Sequence, residues 1–167
     1  MSDSLVTAEP KHLSQPVRVS RVWPHQGAWS DYQSLVMECH LRLVSARRLR
    51  EAHALMRQND AITHGGSNLG VFLARWGARP VAFVLVGPGL DMLWRRVMWV
   101  EGLFIGKAPS EVCRAARDAL LARLVFESRE QGVSHILADT MAPAMGRWLS
   151  HLGFRQMSVT YELETDR

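Results

Sequence analysis

The chain has 167 residues, which is one ordinary domain and a tight fit for two with separate cores. Its 47% hydrophobic and 22% charged residues are a globular composition and exclude wholesale disorder. The net charge of +4 is carried almost wholly by arginine, since Lys11 and Lys107 are the only lysines.

Residues 1–16 read as a polar arm bracketed by Pro10 and Pro16, ahead of one domain over residues 17–167. Val17 to Val22 alternates apolar and polar side chains, the period of a half-buried strand. Ser30 and Gln33 have capping-box spacing before a helix on which Tyr32, Leu35, Val36, Cys39 and Leu43 recur. A second helix is predicted over residues 46–58, then a polar loop from Asn59 to Gly66. Across both helices lie Arg42, Arg47, Arg48, Arg50 and Arg57. Without interleaved aromatics they read as a solvated face, with a phosphate or acidic-partner patch as the alternative, and nucleic acid is not the expected partner.

Leu69 to Trp76 and Pro80 to Val86 form a predicted hairpin, and Gly87-Pro88-Gly89 a second turn. From Val97 to Ile105 both faces are apolar, with Val97, Trp99, Leu103 and Ile105 on one and Met98, Val100 and Phe104 on the other. That predicts a central strand with layers above and below it. Pro109-Ser110 opens the longest helix, which Gly132 ends; Val112, Ala115, Ala116, Ala119, Leu120, Leu124 and Val125 give it a wide apolar stripe. A short strand follows over Val133 to Asp139. Pro143 then opens a helix with Met145, Trp148, Leu149 and Leu152 on one face and Gly153 as its cap, and a last strand runs from Phe154 to Glu164.

Val81 to Val86, the longest apolar stretch, is far too short to cross a bilayer, so no membrane role is expected. The N-terminal residues lack an apolar signal segment, and Cys39 and Cys113 match no zinc spacing. Together these predict a reduced, cytoplasmic protein without a metal site.

Glu101 stands out because it interrupts an apolar strand, where a carboxylate is costly unless paired or protonated. Desolvation there would suit a general base. Pairing with Arg95, Arg96 or another arginine is the structural alternative. Gly102 beside it is a candidate close-packing glycine.

The hairpin of residues 69–86, the strand VMWVEGLFIG, the long helix, the short strand and the segment GRWLSHLGF together resemble the GCN5-related N-acetyltransferase (GNAT) family. The likeness covers residues 17–164 in topology and 95–155 in sequence character, with Leu152-Gly153-Phe154 matching the family's LGF close. It implies an α/β acyl-CoA N-acyltransferase fold, a mixed and mostly antiparallel sheet with helices on both faces. It also implies acetyl-CoA as cofactor and an amine on a small molecule or protein as acceptor. Glu101 would be the base, Gly102 would hold the β-bulge by which this strand splays from its neighbour, and the amides of Leu103, Phe104 and Ile105 would then face the cofactor arm as oxyanion donors.

Arg114, Ala115 and Arg117 align with the family's phosphate-binding segment, although the glycines of that segment are absent here. Arg114 and Arg117 would supply charge in their place, or form a solvated helix face. Leu149 stands where the family's acidic tyrosine would be, and His64 lies where acceptor loops run. The alternative is the same fold without catalysis. Such a protein would be a structural or binding component, for example of a phage virion, placed in a homo-oligomer or larger assembly.

Overall fold

The computed structural model describes residues 15–91, 94–138, 149–150 and 154–155. Its elements run β1 (Val17–Val22), α1 (Trp29–Ser45), α2 (Leu49–Thr63), β2 (Gly70–Trp76), β3 (Arg79–Leu90), β4 (Arg96–Ile105), α3 (Ser110–Glu130) and β5 (Ile136–Ala138). The strands make one mixed sheet in the order β1-β2-β3-β4-β5, with β1 to β4 antiparallel neighbours. Two compact units make up the chain, Met1–Leu137 and Ala138–Arg167. No helix among the described residues is long and apolar enough to cross a membrane.

Period-2 alternation splits the sheet's side chains between two cores, as expected of strands buried on both faces. Val71, Leu73, Phe83 and Leu85 meet Tyr32, Leu35 and Val36 of α1 and Ile62 of α2. Phe72, Ala74, Val84, Val86 and Met98 meet Val112, Ala116, Leu120 and Leu124 of α3 on the other face. The α3 residues recur every four positions, so one stripe of that helix is pressed on the sheet. Ion pairs tie the layers together: Arg75 of β2 with Asp31 of α1 at 2.9 Å, and Arg21 of β1 with Glu127 of α3 at 3.4 Å.

Four local expectations are corrected. The capping box does not form: α1 starts at Trp29, Ser30 Oγ donates to the Gly27 carbonyl, and the Gln33 amide pairs with Asn59. That pairing carries α2 on to Thr63, through residues expected as loop, because buried Asn59 finds its partner on α1. Gly87, Pro88 and Gly89 are not a turn but part of β3, opposite Trp99, Met98 and Val97. Pro88 is tolerated because β2 reaches only to Val86, leaving no neighbour on that side to need its missing N–H. A Cβ on Gly89 would overlap the Trp99 indole, so this glycine serves close approach.

The fourth correction concerns β4. Leu85 pairs with Gly102 and Val86 with Val100, which leaves Glu101 as an extra residue. Alternation therefore changes phase at Glu101. Leu103 and Ile105 join Val100 and Met98 on the α3 side, while Phe104 faces the α1 side.

In the second unit Leu149 and Ser150 are helical, and the Phe154 N–H donates to the Leu149 carbonyl at 3.0 Å. Trp148, Leu152, Gly153 and the strand expected from Phe154 onward lie mostly outside the described residues.

Candidate active site

The bulge at Glu101 is the centre of the candidate site. Glu101 is exposed and makes no hydrogen bond or ion pair among the described residues. The desolvated carboxylate expected from the sequence is thereby corrected: the bulge lifts this residue out of the alternation that would have buried it. The pairing alternative is corrected too, since Arg95 binds Asp91, its Nη2 lying 2.6 Å from Oδ2. Gly102 is not what the bulge demands, for its φ is not positive and a Cβ there would make only ordinary contact with Leu85.

Beyond the bulge, the Gly106 N–H donates to the Val81 carbonyl of β3 at 2.8 Å. Alternation then aims the Phe104 N–H at β3 as well, and the Ile105 and Leu103 N–H groups at the opposite edge. On that same edge, before the bulge, the Met98 N–H donates to the His135 carbonyl at 3.0 Å, just ahead of β5. Leu103 and Ile105 thus present amide donors on the β5 side of β4, close in sequence to the lone carboxylate.

The β4–α3 connection is only Gly106 to Pro109, and α3 supplies the unpaired N–H groups of its first turn. Arg114, Ala115 and Arg117 sit within α3 rather than on this connection. Arg114 is exposed, Ala115 half-buried, and the Arg117 Nε donates to the Cys113 carbonyl at 3.4 Å. Lys107 is exposed, so the junction carries Lys107 and Arg114 beside the Glu111 carboxylate of the first turn of α3.

Two residues of α1 reach this junction: Arg42, read from the sequence only as one of a cluster on a solvated helix face, and Glu38, which was not singled out. Arg42 donates to the Ile105 carbonyl at 3.0 Å, stacks over the Phe104 ring at 4.9 Å and pairs with Glu38. Glu38 in turn accepts the backbone N–H of Lys107 at 3.1 Å. The i,i+4 spacing of Glu38 and Arg42 could have flagged them as a pair, but not their seat at the end of β4.

Other sequence candidates lie elsewhere. Tyr32 is sealed between α1 and the sheet, edge-on to Phe83 with ring centroids 5.1 Å apart, and burial pushes its phenol well above the usual range. His64 is exposed at the end of α2, 3.2 Å from Asp60. Cys39 and Cys113 are both free thiols. Among the described residues no cluster of His, Cys, Asp and Glu could hold a metal ion.

No protein-family model and no curated protein matches the sequence. Solved structures do match. One is the aminoglycoside N-acetyltransferase AAC(6')-Iy in complex with the bisubstrate analogue CoA-S-monomethyl-acetylneamine, at 16% identity and TM-score 0.64, covering 90% of this chain and 99% of that one. A second is the ribosomal-protein-alanine N-acetyltransferase of Brucella melitensis biovar Abortus 2308, at 14% identity and TM-score 0.59, with 90% and 99% covered. A third is an integron cassette protein from the mobile metagenome of V. cholerae, at 15% identity and TM-score 0.64, with 90% and 93% covered. The chain therefore has the acyl-CoA N-acyltransferase fold, the fold of the GCN5-related N-acetyltransferases.

Proposed function

We propose that the chain is an acetyl-CoA-dependent N-acetyltransferase acting on an amine, with Glu101 as general base. The observation that carries this reading is the bulge of β4, which holds an unpaired, exposed carboxylate two residues from the outward amide edge of Leu103 and Ile105. The residues present fit an acyl-CoA along that edge: the outward donors of Leu103 and Ile105 lead to the N-terminal end of α3, where Lys107, Arg114 and Arg117 outnumber Glu111. When bound, the cofactor supplies an activated acyl group as its thioester.

The chain's own residues divide the remaining work. The Leu103 and Ile105 N–H groups bind the cofactor arm and its carbonyl oxygen, and Phe104 forms the wall beneath Arg42. Lys107, Arg114 and Arg117 provide charge for phosphates, with Ala115 leaving room at the helix start. Glu101 takes the proton of the acceptor ammonium, directly or through one water, its lone pairs being free of other partners. Tyr32 has no part, because it is sealed in the core. An amine acceptor is in keeping with the aminoglycoside and ribosomal-protein-alanine acetyltransferases that share the fold.

A second reading, a non-catalytic binding protein of the same fold, is favoured by one observation. The Glu38 carboxylate already occupies the Lys107 N–H, and no glycine lies between Lys107 and Arg117 to let backbone approach a phosphate closely. The deciding experiment is release of free CoA from acetyl-CoA over a panel of primary amines, for the parent and Glu101→Gln. As base, Glu101 gives a fall in turnover on the order of 10² to 10⁴-fold on substitution, with cofactor affinity close to the parent's. Equal turnover removes Glu101 from the chemistry, and bound acetyl-CoA without turnover on any amine supports the second reading.

A further inference from the structure

The surface of the α1–α2 hairpin has no task in the chemistry above. The two helices meet through Gln33 and buried Asn59, whose amides pair reciprocally at 3.0 and 3.1 Å. Continuing along the Gln33 side of α1 come Met37, Leu41 and Val44, which are 46%, 61% and 40% exposed. At the start of α2 Leu49 is 53% exposed, and His53 and Met56 follow it at i+4 and i+7. Half of the eight large, exposed apolar side chains among the described residues thus belong to this one hairpin. An apolar strip with a polar rim is the signature of an interaction surface.

The rim is basic. Arg50, His53, Met56 and Arg57 line an open depression of about 560 Å³. Arg47 stands in the turn between the helices, with φ at 59°. Arg42 and Arg48 are engaged by Glu38 and Glu51, while Arg47, Arg50 and Arg57 form no ion pair among the described residues, Arg50 only sharing the field of the Glu51 carboxylate. A second copy of this face would set arginine against arginine, which opposes a symmetric dimer here. Nucleic acid fits less well, since the strip is aliphatic and its one exposed ring among the described residues is the His53 imidazole, with no Phe, Tyr or Trp on which successive bases could stack.

We propose that the α1–α2 hairpin is a docking surface for an acidic, amphipathic segment of a partner protein. The partner's apolar side chains would seat along Met37, Leu41, Val44 and Leu49. Its carboxylates would pair with Arg47, Arg50 and Arg57. This surface stands independently of the acetyltransferase reading, because none of these residues belongs to the β4 site.

The test uses the full chain and two labelled synthetic peptides in fluorescence anisotropy. One peptide carries Leu at i, i+4 and i+7 flanked by Glu; the other has every Glu replaced by Lys. The Glu peptide is expected to bind, more weakly as salt rises, while the Lys peptide does not. Arg50→Ala with Arg57→Ala should weaken binding roughly tenfold, and Leu41→Ser by a similar factor, both with unchanged melting curves. The proposal is overturned if the Glu peptide fails to bind at millimolar concentration, or if both peptides bind alike. It is also overturned if Leu41→Ser abolishes self-association of the parent chain, or if a single-stranded oligonucleotide displaces the Glu peptide while the arginine variants bind that peptide as the parent does.

Discussion

Deleting Glu101 removes the extra residue between the Leu85–Gly102 and Val86–Val100 pairs. Regular pairing then forces one half of β4 to slip by a residue. Either Met98 and Val100 or Leu103 and Ile105 must leave the α3 face, where all four now pack. Full burial of such a side chain is worth about 1.5 to 3 kcal/mol; Met98 is buried but Val100, Leu103 and Ile105 are half-buried, so either pair is worth about 1.5 to 4 kcal/mol. That is a sizeable part of a typical total of about 5 to 15 kcal/mol. Glu101→Gln keeps the extra residue at an exposed position and should stay within about 0.5 kcal/mol of the parent. Urea denaturation followed by circular dichroism measures both, and acetyl-CoA affinity adds a functional reading. The deletion should lose stability and cofactor binding together, whereas Glu101→Gln should lose neither. A deletion variant within about 0.5 kcal/mol of the parent would refute the claim that the bulge sets which side chains reach the core.

Tyr32→Phe should stabilise the protein by about 1 kcal/mol, because the Tyr32 hydroxyl is buried without a hydrogen-bond partner among the described residues. For a chain of this size that is a rise of about 2 to 4 °C in Tm, and a fall would reveal a partner for the hydroxyl. Burial, only partly offset by Arg42 and Arg48, pushes the Cys39 thiol up to about 11. Alkylation of Cys39 at pH 8 should therefore be about 100-fold slower in the folded chain than in urea, and equal rates would show the thiol to be open. Between its ordinary value of 9.0 and about 11 the folded chain holds the Cys39 proton and the unfolded chain does not. The Cys39 contribution to stability should thus be level below pH 9.0 and fall as pH rises through that window, a fall that Cys39→Ser reduces. Leu120→Ala, at the centre of the α3 stripe and 2% exposed, should cost about 2 to 5 kcal/mol in the same denaturation assay.

Much of this architecture is legible in the sequence, because the elements that position the site obey simple periods. The α3 stripe, the hairpin around Gly77, and the two-sided apolar strand from Val97 were all read from spacing alone. What escaped depends on contacts between distant segments. The bulge itself was expected at Gly102, and the register does shift there, but the hydrophobic pattern did not show its consequence: Glu101 looked like a carboxylate inside the core and the second half of β4 was given the wrong phase. Asn59 looked like loop because its polarity gave no hint of Gln33, 26 residues away. Arg42 looked like one arginine of a solvated cluster and Glu38 drew no reading, and only the fold sets them on the end of β4. The opposite error occurred at Gly87-Pro88-Gly89, where turn-forming residues continue a strand past the end of its neighbour.

Calorimetric titration of the full chain with acetyl-CoA, paired with its melting curve, bears most directly on whether the β4 edge is a cofactor site. Saturable binding of one acetyl-CoA is predicted, with the fold stabilised by about 2.7 kcal/mol at 100 times the Kd. No heat of binding and an unchanged Tm at millimolar acetyl-CoA would contradict the acetyltransferase reading.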